Sequence, residues 1–267
     1  MKPVDKKYNF LRPVKTPNLV RIGRKGDGGY VVDSKVIKET NLLITFGLGP
    51  DWSFELDYIS KNPGVKIYVY DHTVSILPYI KGLLVYIRKF LTFHGSIKAV
   101  SGRIKNLQNY RNFLKHESVN FFSEKITYPI KNKIDTDINK VFSRIESKEN
   151  IVLKCDIDGD EFRVIDEIIK YSDRIKMLIF EFHLDNNREK IFLESVKKIQ
   201  NNFTIIHIHG NNYLGKLNGG LPIVTEITFL NKKYMQEGGE YNLNFPIKGL
   251  DYPNNPYKED LAFKFEN

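Results

Sequence analysis

The turn Gly47-Leu48-Gly49 follows the apolar run Leu42–Phe46. Glycines let a ligand approach the backbone, and amides opening the next helix can meet an anionic group, so such a turn can cradle a cofactor. Asp71 ends the next apolar run, at the position from which a carboxylate accepts bonds from both ribose hydroxyls of an adenosine. His72 and Phe122 stand at the ends of the second and third runs and are further candidates for cofactor contact. The third glycine of the G-x-G-x-x-G dinucleotide fingerprint is missing, which disfavours a pyrophosphate cofactor. His183, His209 and Asp158 end or follow later runs and are candidate proton acceptors for a hydroxyl substrate, with His183 ranked ahead of His209. Asp156, Asp158, His183 and His209 could instead hold a divalent ion, but no tight ligand motif is present and no resident metal is expected. Asn211 and Asn212 can bond a polar substrate or shape a turn. Tyr30, in Asp27-Gly28-Gly29-Tyr30, either folds over the site to touch cofactor or acceptor or belongs to a hairpin turn. Cys155 reads as a packed strand thiol.

These residues need a scaffold that brings strand ends together. Strand-like runs at Leu42–Phe46, Val65–Tyr70, Val119–Phe122, Ile151–Asp156, Met177–His183, Phe203–His209 and Ile223–Leu230 alternate with stretches of helical period. That alternation predicts an α/β fold, a Rossmann-like, seven-stranded, mostly parallel sheet with helices on both faces. The loop Gly210–Gly220 leaves no room for a helix, so the last strand pair is antiparallel. Lys125–Asn132 reads as a loop. Residues 1–267 read as a single domain with an N-terminal extension (about 1–40) and a helical insertion (about 74–117). Within that insertion, Ile76–Phe93 is amphipathic and interrupted by Lys81, Arg88 and Lys89, so it is not a membrane span. It is expected to form a cap or an oligomer surface, possible homodimerisation included, with core packing and a membrane-surface helix as alternatives.

The net charge of +9 favours an anionic partner without choosing one, and lysine and arginine, spread along the chain without a tail, read as a solvated surface. A single cysteine excludes an intrachain disulfide. Met1–Phe10 has no apolar signal region, so the expected location is cytoplasmic. Asn254-Asn255-Pro256-Tyr257 has the look of an amino-methyltransferase motif but lies in the C-terminal tail rather than after the fourth strand.

Gly26-Asp27-Gly28-Gly29-Tyr30, Phe46-Gly47-Leu48-Gly49 with Ser53-Phe54-Glu55, Leu153-Lys154-Cys155-Asp156-Ile157-Asp158-Gly159-Asp160-Glu161 and Glu181-Phe182-His183 together resemble the FkbM-type, class I S-adenosylmethionine-dependent methyltransferases. The resemblance implies O-methylation with S-adenosyl-L-methionine as cofactor and S-adenosyl-L-homocysteine as product. It implies a small polar, sugar or phosphorylated acceptor, in surface polysaccharide (capsule) or secondary-metabolite synthesis. One departure is Thr45, where many methyltransferases carry an acid, so Ser53, Glu55 or the loop after Asp156 is expected to hold the methionine end. The competing readings are an RNA or DNA methyltransferase, for which no dense basic run or base-reading motif stands in place, and a binding module with a vestigial fold or an NAD-dependent Rossmann oxidoreductase.

Overall fold

Runs that are apolar on both faces become the strands of one buried sheet. The computed structural model describes residues 2–146, 148–185, 187–235 and 239–266. A hairpin, β1 (Leu19–Ile22) and β2 (Tyr30–Asp33), leads into α1 (Ser34–Glu39), whose first amides are capped by the Asp33 carboxylate. Then come β3 (Leu42–Phe46), α2 (Ser53–Lys61), β4 (Lys66–Tyr70) and two long helices, α3 (Leu77–Leu91) and α4 (Ile97–Leu114). β5 (Val119–Phe122) precedes the short strands β6 (Lys125–Ile126) and β7 (Asp135–Thr136) and helix α5 (Ile138–Ser143). The chain continues through β8 (Ile151–Cys155), α6 (Glu161–Ile169), β9 (Ile175–His183) and α7 (Glu189–Ile199). It ends with β10 (Phe203–Lys216), β11 (Pro222–Asn231) and a small pair, β12 (Asn244–Phe245) and β13 (Phe263–Lys264).

The large sheet has the order β10-β11-β9-β8-β3-β4-β5. Neighbours from β9 to β5 are parallel, and β11 runs antiparallel to both β9 and β10. This is a Rossmann-like, seven-stranded, mostly parallel sheet. The chain moves outward from β3 to β5 and then returns to place β8 on the other side of β3. The switch point, where open α/β sheets bind ligands, therefore lies beyond the carboxyl ends of β3 and β8.

Side chains alternate between two cores, as the pleat requires. Ile44, Leu153 and Phe180 face α5, α6 and α7 through Val141, Val164 and Val196. Leu43, Val152 and Ile179 face the other way, under Val32 of β2, Ile37 of α1 and Phe54 of α2. The N-terminal segment read as an extension is thus a wall of the second core, and Thr228 of β11 donates to the Val31 carbonyl at 2.6 Å.

Two expectations are corrected. The stretch 125–132 read as a loop begins with β6, paired in parallel with β7. Most of the loop expected at 210–220 is strand, since β10 runs to Lys216. Gly210 permits the close approach this requires, because a Cβ there would lie 2.4 Å from Pro222 Cγ. Among the described residues, no helix is long and apolar enough to cross a membrane.

The two glycines after β3 differ in what surrounds them. Both have left-handed backbone, φ 76° at Gly47 and 63° at Gly49. A Cβ on Gly47 would lie 1.7 Å from the Asp156 carbonyl oxygen, while one on Gly49 meets nothing within 4 Å. Gly49→Ala should cost only the backbone term, about 1–2 kcal/mol, and Gly47→Ala clearly more. Equal losses in chemical denaturation would contradict this account.

Candidate functional site

Near the carboxyl ends of the strands, buried polar side chains replace apolar ones on one face of the sheet. Thr45, Lys154, Glu181, Glu226 and His209 follow one another across β3, β8, β9, β11 and β10. Thr45 is in register with Lys154, Glu181 with Glu226, and Glu226 with His209. Buried polar groups are tolerable only with partners, and the partners define the site.

Tyr30, the first residue of β2, sits over this row. Its hydroxyl lies 3.2 Å from both Asp156 Oδ2 and Glu181 Oε2. Asn211 donates to Glu181 Oε1 at 3.0 Å. Lys154 donates to the Gly47 carbonyl at 3.0 Å, and its ammonium lies 5.2 Å from the Tyr30 ring centre. Burial raises the Asp156 pKa, against the pull of Lys154. Burial, with Asp156 and Glu226 adding to it, pushes the Glu181 pKa well above the carboxylate range.

His183 extends from β9 beside this pair. Its Nδ1 donates to Glu161 Oε1 at 2.9 Å, and the same oxygen accepts from the amides of Ile157 and Gly159. That bond leaves Nε2 as the acceptor nitrogen, 3.8 Å from Asp158 and 3.9 Å from Glu181. Burial alone would lower the His183 pKa, but the bond and charge of Glu161, with Asp156 and Asp158 behind it, outweigh burial and leave it raised. One atom each of Asp156, Glu181 and His183 fall within 4.8 Å of one another, close enough to ligate one cation.

A cleft of about 480 Å³ opens at the switch point, between Gly47, Gly49, Asp71 and His72 on one side and Lys125, Asp156 and Asp158 on the other. A second cavity of about 460 Å³ adjoins it through Gly49, Pro50 and Thr73 and is walled by Tyr79 and Arg103 of the two long helices. Of the lining carboxylates, Asp160 pairs with Lys125 at 2.9 Å and Glu124 with Arg144 at 2.8 Å, while Asp71, Asp156 and Asp158 make no bridge to a lysine or arginine among the described residues. The lining is acidic.

Several residues singled out in the sequence have other partners. Asp71 Oδ2 accepts from the amides of Leu48 and Gly49, and Oδ1 accepts from Thr73 twice and from Val74. Five donors saturate a carboxylate, so here Asp71 shapes the glycine loop rather than waiting for a ribose. Burial would raise its pKa, but these bonds hold it below the usual range. Ser53 accepts from the Arg24 amide. Glu55 is buried and accepts from Thr45 at 2.9 Å, its pKa raised by burial, and its second oxygen is unpartnered. A carboxylate carried on α2 therefore stands next to the strand position that lacks one. Phe122 stacks on Tyr70 at 4.7 Å and takes the Arg144 guanidinium on its ring. His72 is exposed at the cleft edge.

His209 is corrected as a candidate base or ligand beside His183. It is buried, with Nδ1 on Glu226 at 3.2 Å and Nε2 on Asp260 at 3.1 Å. Burial would lower its pKa, but Glu226 and Asp260 push it up to about 10, so the ring is a cation with both N–H groups spent. Asn212 is corrected as a substrate contact. Its amide donates to the carbonyls of Asn255, Lys258 and Glu259 and accepts from the Asn255 amide, which fastens the C-terminal tail. The tail motif at 254–257 has a structural task there too, since Asn254 donates to Glu226 at 2.8 Å. Glu161, Glu181 and Lys154 escaped the sequence reading as site residues. For Lys154 and Glu181 the signal was a charge inside an otherwise apolar strand; Glu161 opens α6 and carries no such mark.

No protein-family model matches the chain, and no curated protein does. Solved structures similar to it include the fibrillarin pre-rRNA processing protein of Methanococcus jannaschii, at 11% identity and a TM-score of 0.42 over 73% of this chain and 68% of that one. A putative rRNA methylase from Clostridium thermocellum is 10% identical, with a TM-score of 0.40 over 77% and 94%. A precorrin-6y C5,15-methyltransferase from Geobacter metallireducens is 8% identical, with a TM-score of 0.38 over 74% and 85%. At such distances these are likenesses of chain layout only.

The His209 pairing generates a pH test. A proton held to about pH 10 in the native state but only to about 6.5 in an unfolded chain stabilises fully below 6.5. That stabilisation is lost as pH rises toward 10, by at most about 1.4 kcal/mol per pH unit. The stability advantage of wild type over His209→Gln should therefore shrink from pH 6 to pH 10; an advantage that grows would refute the assignment.

Proposed function

We propose that this chain is an S-adenosylmethionine-dependent O-methyltransferase acting on a hydroxyl of a small polar or sugar-like acceptor. The observation that carries the reading is the acidic cleft at the switch point, open over Gly49. The cofactor is positively charged at its sulfonium and its ammonium, so such a lining attracts it. The same lining repels the phosphates of NAD and of a nucleic-acid strand, which disfavours the NAD and nucleic-acid readings and a phosphorylated acceptor.

When bound, the cofactor supplies a methyl group open to in-line attack. The protein has to orient the acceptor, exclude water and take up its proton. Gly49 gives access to the backbone, and Asp156 and Asp158 after β8 offer charge to the ammonium end. His183 Nε2 faces the carboxylate pair and is free to accept the proton of the hydroxyl as the oxygen–carbon bond forms. Glu161 fixes the ring and stabilises the imidazolium that results. Asp156 and Glu181, held by Tyr30 and Asn211, offer acceptor oxygens to the other hydroxyls of a sugar.

Two tests follow from these roles. Asp71→Ala frees the loop amides and should weaken S-adenosylhomocysteine binding by about 1–3 kcal/mol; unchanged affinity by calorimetry, or tighter binding of NAD, would overturn the cofactor assignment. His183→Ala should keep that affinity and lose roughly 10² to 10⁴ in turnover. Because only the neutral ring accepts a proton and its pKa is raised, activity should climb with pH through a midpoint above about 6.5. Glu161→Gln should move that midpoint down. Full activity in His183→Ala, or strong inhibition by a chelator, would take the role from the imidazole.

A further inference from the structure

Between Asp71 and Glu117 the chain has no aspartate or glutamate, and residues 72–116 carry eight lysines and arginines. The rest of the chain holds 33 Lys and Arg against 32 Asp and Glu, so nearly all of the net charge of +9 lies in this segment. The cations are hardly denser here than elsewhere; what sets the α3–α4 hairpin apart is that no acid offsets them.

The same hairpin presents unpartnered apolar surface. α3 buries none of its 15 residues. Its inner side leans on α4, where Tyr79 stacks on Tyr110 at 4.6 Å. Its outer side carries Leu77, Ile80, Leu84 and Leu91 at heptad spacing, all exposed. At the tip, Leu91, Phe93 and Ile97 are 69%, 98% and 70% exposed. Lys81 and Arg88 follow Leu77 and Leu84 by one helical turn, and Lys89 and Lys98 flank the tip.

An apolar stripe bordered by cations, with no acid in the segment to neutralise them, matches a surface that is anionic outside and apolar just beneath. We propose that the α3–α4 hairpin docks on a bilayer surface containing anionic lipid, the tip and outer stripe at the acyl boundary and the cations among the headgroups. A second copy of the chain would set two acid-free cationic hairpins against each other, which opposes the dimer expected from the sequence. A nucleic acid would satisfy the cations but leave Leu84, Leu91 and Phe93 against water. The base of the hairpin is held by Trp52, stacked 5.7 Å from Phe113, and walls the cavity beside Gly49. Docking therefore sets the candidate site next to the bilayer.

Sedimentation with vesicles tests the proposal without reference to catalysis. The full chain should co-sediment with phosphatidylcholine vesicles that contain phosphatidylglycerol, release them as salt rises, and ignore vesicles of phosphatidylcholine alone. Leu84→Glu with Leu91→Glu, and separately Lys81→Glu with Arg88→Glu, change exposed side chains and should keep the wild-type melting midpoint. Each pair should weaken vesicle binding by roughly tenfold or more. Equal binding to both vesicle types, or undiminished binding by either folded variant, would overturn the proposal. So would a wild-type dimer in light scattering that Leu84→Glu dissociates.

Discussion

Asp156 and Glu181 bring two carboxylates to one phenol, and a phenol has a single proton to give. Burial raises the pKa of both, and two acids in a buried place disfavour each other's ionised form. Relief comes from the sheet and from the hairpin beside it. The β1–β2 hairpin delivers the Tyr30 hydroxyl, β10 delivers the Asn211 amide, and β8 delivers the Lys154 ammonium. The position of the N-terminal hairpin is therefore tied by polar contact as well as by packing, because sliding it away would take from the acid pair the one hydroxyl that reaches both members. Glu161 belongs to the same balance, since it orients the one imidazole beside the pair.

The sheet was legible because burial on both faces leaves a strong mark on sequence. Seven apolar runs marked seven strands, and the short 210–220 connection marked the antiparallel pair. What failed was local. Gly210, Asn211 and Asn212 are turn-forming residues by propensity, yet pairing with β11 keeps them in a strand. The placement of candidate residues was readable where position along a strand implies position in space, as for Gly47, Asp156 and His183. It was not readable where partners arrive from distant segments. Asn212 and the tail, or His209 with Glu226 and Asp260, are separated by 17 to 51 residues, and no periodicity encodes such a meeting.

Thr45 and Glu55 make the same point at one spot. Measured along the chain, the strand lacks the acid that a methyltransferase pattern asks for two residues before its glycine. Measured in space, a carboxylate is there, ten residues later, across a 2.9 Å hydrogen bond from the threonine. A pattern scored position by position registers a loss, while the fold keeps a carboxyl group within hydrogen-bond reach of the same strand position.

The segregation of charge has a consequence for how the molecule moves as well as for what it touches. A body of almost no net charge bearing one cationic arm is an electric dipole with its positive pole fixed at a protruding hairpin. In a uniform medium it tumbles without preference. Near any negatively charged boundary it feels a torque, so the arm turns to the boundary before contact, and the opening beside Gly49 turns with it. At physiological ionic strength that field reaches only about 8 Å from the boundary, which confines the alignment to the last step of approach.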